Sequence, residues 1–304
     1  MEDRAARSGA YTLLGIAAIL LWSVTVGLAR SLSEKVGPMS AGASVYLVAG
    51  LACRLRQGGT GRLPRRYVFG CGALFVFYLL AFYLAIGLAR DRVEVLAVGL
   101  ANYLWPSLTI LFSLAVLRRK AGLLLVPGTL LALAGVLLAV ADGSGVPVME
   151  LLAGSAAKPL TVGLAALGAV LWALYSNLTS AWMSESKESG VGLFMLATGG
   201  ALLALSLLGL GPEAPAAGAW TARAVTEALA LGLATGAGYE CWEAAMRRGD
   251  VTLVASASYA APLLSTVFSC LYLGVRPGSG LWLGCGLVVL GSVTSWKAVS
   301  TRPS

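Results

Sequence analysis

The side chains able to do chemistry in this 304-residue chain are four glutamates and a row of aromatic rings, all set in stretches with almost no other charge. The chain has no histidine, which removes H-E-x-x-H zinc hydrolysis, Ser–His intramembrane proteolysis and any histidine proton switch. No G-x-x-x-x-G-K-[ST] segment is present, so no nucleotide-driven pump is built into it. The acids form no pair resembling an aspartyl site, and the five cysteines (Cys53, Cys71, Cys241, Cys270 and Cys285) stand singly, without metal or disulfide spacing. Neither an enzyme nor a resident cofactor or metal is expected. Binding and translocation of a solute remain.

Charge buried in a membrane is costly and often functional, so each acid needs an account. Glu227 lies four residues from Arg223, and Glu243 four from Arg247, the spacing of ordinary ion pairs on one helix. Glu240 is seven residues, about 10 Å along a helix, from Arg247 and has no partner at helical spacing. It is a candidate to line a water-filled path and attract an ammonium group. Glu94 opens another apolar stretch, where a carboxylate suits the positive end of the helix dipole. It shares a face with Val98, Ala101 and Trp105, which points it toward a cavity mouth.

The rings and helix breakers carry more information. Asn102, Tyr103, Trp105 and Pro106 fall in the middle of one apolar run, and Tyr259 and Pro262 hold the matching places in another. A mid-helix proline frees a carbonyl, which inside a membrane must meet protein or cavity water. Trp22 and Trp172 stand at corresponding depths of two further runs, and Tyr78, Tyr83, Tyr175, Tyr239 and Trp242 add rings. The ordinary place for such rings is the lipid interface. Mid-span rings in both halves instead suggest a cavity that is rich in aromatics and poor in charge. It suits a bulky, fairly apolar solute or a zwitterion held by amide, hydroxyl and backbone groups.

These residues must be positioned by membrane helices. The chain is 58% apolar and 12% charged, whereas soluble domains have about 25% charged residues. Uncharged runs cover 8–29, 36–53, 67–89, 95–117, 121–141, 159–184, 189–212, 251–275 and 277–296, each at least 18 residues long. That length crosses a hydrocarbon core of about 30 Å. An apolar segment at about 224–246 carries acids and makes a tenth. Period-2 alternation is missing, so a β-barrel is excluded. The expected fold is all-α and integral to the membrane, with ten transmembrane helices.

A shift of 156 residues lays the chain on itself without a gap. Between 95–135 and 251–291, 14 of 41 positions are identical, including Tyr103/Tyr259, Pro106/Pro262, Phe112/Phe268, Gly128/Gly284 and Gly135/Gly291. Tyr83/Tyr239 keeps the same offset. Solenoid repeats are about 20–50 residues long, so this is a duplicated half-molecule. Five helices per half is odd, which makes the halves, 1–145 and 146–304, inverted repeats within one transporter domain. In that architecture the solute site lies between repeats near the bilayer midplane. The connection at about 142–158, with Asp142, Gly143, Gly145 and Pro147, is expected to be the linker.

With the N-terminus inside, the inner segments hold 15 bases and the outer ones 7. The positive-inside rule therefore puts both termini in the cytoplasm, and it accounts for the net charge of +8 without a nucleic-acid partner. The first run, at 22 residues, is too long for a signal peptide core and reads as an uncleaved helix. Trp220, in an outer loop of Pro, Ala and Gly, reads as an interfacial anchor. Glycine spacings such as Gly128/Gly135 and Gly232/Gly236 imply close helix packing.

The stretches LWSVTVGLAR (21–30), EVLAVGLANYLWPSLTILF (94–112) and SYAAPLLS (258–265) resemble the drug/metabolite transporter superfamily in its ten-helix, EamA-like branch. Within it the chain more closely resembles the aromatic amino acid exporters of bacterial inner membranes. The resemblance implies five-plus-five inverted repeats, cytoplasmic termini, a central cavity built chiefly from helices 1, 3, 4, 6, 8 and 9, and amino acid export. It carries Trp22, Glu94, Asn102, Tyr103, Trp105, Pro106, Tyr259 and Pro262 over as site or hinge residues; Glu240 lies outside the matched segments.

The expectation is a secondary transporter that exports aromatic and other neutral amino acids by alternating access. Its partners are the solute and the lipid bilayer, and one chain, holding both repeats, is enough to function. One alternative is efflux of another metabolite or drug. Sugar nucleotides fit poorly, because no mid-span base would neutralise phosphate. The other alternative is a non-transporting scaffold or sensor, which would lack a water-accessible cavity.

Overall fold

In a bilayer every backbone amide needs an internal partner, and the long apolar runs meet that need as helices. The computed structural model describes residues 2–57, 62–186, 188–209, 218–265, 267 and 278–300. Lys187, Phe268, Cys270, Arg276, Arg302 and most of the Pro-rich loop lie outside them. The helices are α1 (Glu2–Val36), α2 (Pro38–Gln57), α3 (Tyr67–Leu88, its first turn π-helical), α4 (Arg92–Asn102), α5 (Trp105–Val116) and α6 (Leu125–Ser144). They continue as α7 (Val148–Ala157), α8 (Pro159–Met183), α9 (Val191–Leu207), α10 (Ala222–Arg248), α11 (Val251–Ala257) and α12 (Ser279–Ala298). Short strands β1 (Lys120–Ala121) and β2 (Val299–Ser300) pair antiparallel.

Among the described residues, six helical stretches are long and apolar enough to cross a membrane: Pro38–Gln57, Tyr67–Leu88, Val93–Val116, Leu125–Ser144, Pro159–Met183 and Ser279–Ala298. Ser8–Ser23, Val191–Leu207 and Val251–Ser265 are shorter apolar helices. Large apolar side chains such as Phe69, Phe77, Leu130, Leu233 and Trp282 are exposed along these elements. Monomeric soluble proteins rarely expose apolar patches on that scale. The chain is a multi-pass membrane protein.

The connection after Ser144 is not the loop its glycines suggest. Helix α6 runs through Asp142 and Gly143 and stops where Gly145 turns left-handed (φ 69°), and α7 follows at once. The apolar sequence VMELLAG, with Glu150 in its first turn, outweighs the turn residues on either side.

Contacts separate two ends of the molecule. At one, the terminal end, where the start of α1 and strand β2 lie, Arg248 donates to the Tyr11 hydroxyl (2.6 Å), Asp250 N–H to Thr12 Oγ1 (2.9 Å) and Gly122 N–H to the Ala298 carbonyl (2.7 Å). At the other, Lys35 pairs with Glu227 (2.6 Å) and Lys158 with Glu94 (3.4 Å).

Helices α6 and α12 meet backbone to backbone through small residues, as the glycine spacing predicts. A Cβ on Gly135 would stand 2.7 Å from the Gly284 carbonyl oxygen, and one on Gly284 the same distance from that of Gly135. Moving one partner up and the other down by 156 residues turns Gly135–Gly284 into Gly291–Gly128. It likewise turns Gly135–Val288 into Gly291–Ala132, and Gly284–Ala139 into Gly128–Ser295. Every one of these approaches is present. Helices α2 and α9 behave the same way at an offset of 149, so the gapless shift of 156 does not extend to this pair; there Gly50 meets Leu196 and Gly192 while Gly199 meets Leu47 and Ala43.

Candidate functional site: an aromatic cavity without charge

A cavity of about 250 Å³ lies between α1, α2, α3, α8 and α10. Its walls are mostly rings: Trp22 from α1, Tyr46 from α2, Tyr78, Phe82 and Tyr83 from α3. Trp172 of α8 and Tyr239 of α10 face them, and Tyr103 and Trp105 complete the wall. The lining continues through Thr25, Ala29, Val45 and Leu231, away from the termini. Toward the termini Phe75, Trp242 and Tyr67 are fully buried, so packing there is continuous.

The break between α4 and α5 delivers Tyr103 and Trp105 to the cavity. Helix α4 ends at Asn102, Tyr103 and Leu104 form a turn, and Pro106 enters α5 in its first turn. Proline lacks an N–H and suits that position. At the matching place, Ser258–Ala260 forms a 3₁₀ turn just before Pro262. Trp105 then sets its ring edge-on to Trp172 (6.1 Å between centroids) and Trp242 (5.3 Å). Trp172 also packs against Trp22 (6.0 Å), Tyr78 (5.1 Å) and Tyr239 (5.7 Å).

No lining residue is charged. Ser23 bonds the carbonyls of Ile19 (2.7 Å) and Ala261 (3.3 Å), and Thr25 bonds that of Leu21 (3.0 Å). The hydroxyls of Tyr46 and Tyr239 lie 3.1 Å apart. Among the described residues, the indole nitrogen of Trp22 and Oδ1 of Asn102 are buried without a hydrogen-bond partner, and the Asn102 side chain lies against the Tyr78 hydroxyl. Such a site offers π faces for stacking and neutral dipoles for a zwitterion.

The remaining residues singled out by sequence fall elsewhere. Glu94 is buried but off the cavity wall: Oε2 accepts from Arg90 N–H (2.9 Å), Oε1 from Thr161 (2.8 Å), and Asp91 caps Glu94 N–H in turn (2.7 Å). Asp91 is thus the N-cap of α4, while the Glu94 side chain reaches back to the residue before that cap and is joined by Lys158. The break at 103–104 also ends the straight helical face that aligned Glu94 with Trp105. Glu240 does have a partner: Arg56 of α2, at 3.0 Å, with the arginine well exposed. A search along one helix cannot see a partner on another. Asn102 stands behind the wall. Tyr175 is fully buried against Phe75 and Trp172, and Tyr259 is buried with its hydroxyl on Ser107.

Glu227 and Glu243 take their expected partners, Arg223 (3.0 Å) and Arg247 (3.5 Å), and gain others across helices. Lys35 joins the first; the Tyr67 hydroxyl (2.8 Å) and Ser189 (2.9 Å) donate to the second. Tyr46, Phe82 and Thr235 were not anticipated as lining residues. For Tyr46 a signal existed, since it is a mid-span ring like Tyr78.

The chain matches the EamA-like transporter family over residues 9–141 and 159–296. It is 36% identical over 293 residues to the aromatic amino acid exporter YddG of Salmonella typhimurium (strain 14028s / SGSC 2262), covering 96% of this chain and 98% of that one. The YddG exporter of Escherichia coli (strain K12) is 34% identical over 294 residues, covering 94% and 97%. A crystal structure with 30% sequence identity superposes with a TM-score of 0.75 over 95% of this chain and 97% of its own. Two matched stretches that together span most of the residues, on a fold of apolar helices around a ring-lined cavity, make this chain a member of the EamA-like transporter family.

Proposed function

We propose that this protein exports aromatic and other neutral amino acids across the bacterial inner membrane. The observation that carries this reading is the cavity: about 250 Å³, walled by rings and free of charged side chains. Drug-sized ligands occupy pockets of about 300–1,000 Å³, so this one suits a single small solute. A sugar nucleotide would need more room and a cation for its phosphates. The similarity to exporters of aromatic amino acids favours the same substrate class.

The transport cycle is alternating access between inverted repeats, residues 1–145 and 146–304, with five membrane spans each and both termini in the cytoplasm. The exchange symmetry of the α6–α12 and α2–α9 contacts supports the inversion, and the two separate family matches support the duplication. The six long apolar stretches and three shorter ones, with α10 as the tenth, support a count of ten spans. Arg118, Arg119, Lys120, Arg247 and Arg248 all belong to the terminal end, in keeping with a cytoplasmic face. Trp22, Tyr78, Tyr83, Tyr103, Trp105, Trp172 and Tyr239 contact the solute; Asn102, Tyr175 and Tyr259 support them; the breaks before Pro106 and Pro262 act as hinges. A single chain is the working unit.

The test is flux of labelled phenylalanine, threonine and methionine into liposomes holding the purified protein, without and then with a pH gradient, beside a sugar and a cationic dye. Amino acid flux alone is the expected result. Dye flux without amino acid flux would move the assignment to drug efflux, and silence on every solute would favour a scaffold or sensor.

A further inference from the structure

Among the positions at which the two halves differ against the cavity wall, one stands beside a matched pair of tyrosines. Tyr83 and Tyr239 match at the offset of 156, yet the residues just before them are Phe82 and Gly238. Phe82 lines the cavity, whereas Gly238 stands behind the indole of Trp22. A Cβ on Gly238 would lie 2.7 Å from Trp22 Nε1 and 3.2 Å from Cδ1, so the indole would have to move. Glycine is disfavoured inside a helix, and here its bare α-carbon provides the space in which Trp22 rests.

Trp22 has few ways to move. Tyr239 (5.2 Å), Trp242 (5.4 Å) and Trp172 (6.0 Å) hem it in, and Trp242 is fully buried. Close-packed side chains do not yield volume easily. The open side is the cavity. The indole N–H has no hydrogen-bond partner among the described residues, so no polar anchor opposes that displacement. We propose that Gly238 sets the size limit of the cavity: it lets Trp22 recede into the surface of α10, which leaves room for a fused-ring amino acid side chain. Gly238 is a positioning residue, acting through Trp22. The inference rests on the amino acid reading above.

The experiment compares tryptophan and threonine flux in liposomes for wild type, Gly238→Ala, Trp22→Phe and the double variant, each checked for a monodisperse profile. One methylene in an apolar pocket changes selectivity by about tenfold or more. Gly238→Ala is therefore expected to lower the tryptophan-to-threonine ratio about tenfold, and the double variant, whose smaller ring clears the added methyl, to return it toward wild type. An unchanged ratio in Gly238→Ala, or equal loss of both fluxes from folded protein, would overturn the proposal. If Gly238→Ala alone does not fold, the double variant decides: folding with a near-wild-type ratio supports the role of Trp22, and failure to fold rejects it. Wild-type liposomes that move neither amino acid would overturn the amino acid reading itself, and this inference with it.

Discussion

The Tyr67 hydroxyl donates to Glu243 Oε1 across 2.8 Å at the terminal end, joining the first turn of α3 to α10 below the ring cluster. Both residues are fully buried, and the same hydroxyl accepts from Gly190 N–H (3.1 Å). Helix α1 packs along α10 and α3 along α8, and a cycle in which these two pairs rock apart must open this contact when the cavity faces the termini. A hydrogen bond to a charged group contributes about 1.5–3 kcal/mol, and Tyr67→Phe removes it without changing shape. Cys71, one turn further along α3 and fully buried, reports the effect. With the other cysteines replaced by serine, its maleimide labelling is expected to rise about tenfold in Tyr67→Phe, in line with that energy. Unchanged labelling would remove this contact from the gate.

Trp172 is the ring on which the others converge. Trp172→Ala is expected to reduce phenylalanine flux more than tenfold, in keeping with about 2 kcal/mol or more for removal of a buried aromatic anchor from a binding site. Trp172→Phe, which keeps a stacking face, should lose less. Equal flux in wild type and Trp172→Ala would separate the cavity from transport. Asn102→Ala tests the supporting shell in the same assay, and flux at the wild-type rate would remove Asn102 from it.

Glycines in this protein are not equivalent. At Gly135 any side chain meets the backbone of α12, which cannot step aside, whereas Gly99 in α4 has nothing within 4 Å of its Cβ position. Gly135→Val is expected to lower the melting temperature in detergent sharply. Gly99→Ala should leave it level or raise it, since alanine is favoured over glycine in a helix by about 1 kcal/mol. Similar losses for both would mean that the α6–α12 approach does not carry stability.

Glu240 pairs with an exposed Arg56 away from the cavity, and ion pairs of this kind contribute about 0–1 kcal/mol. Glu240→Gln should therefore change amino acid flux less than twofold. A loss beyond tenfold would return Glu240 to the transport path.

Much of the cavity lining was legible because its residues are local signals. Mid-span rings at Trp22, Tyr78, Trp105 and Trp172 stand out against an apolar background, and Pro106 and Pro262 fall next to the two helix breaks. What escaped depends on neighbours distant in sequence. Glu240 looked unpaired because Arg56 is 184 positions away, on α2. Glu94 looked as if it shared a face with Trp105 because helical spacing assumes an unbroken helix. Tyr103 and its counterpart Tyr259 read alike but end differently: one lines the cavity and the other is buried on Ser107. Local sequence cannot distinguish them, since the repeat equates Ser107 with Leu263 and only packing tells the two environments apart.

By itself the sequence determined the class of protein. Runs of 18 or more uncharged residues can satisfy their amides only as helices in lipid, and the 156-residue self-match requires two related halves. The absence of histidine and of a nucleotide loop excluded histidine-based chemistry and a built-in nucleotide-driven pump before any fold was known. Tertiary structure alone decided which rings share a cavity, which carboxylates are neutralised and where a glycine gives a ring its room. Those outcomes depend on contacts between helices far apart in the chain, and such contacts are set by close packing, which leaves no periodic trace in the sequence.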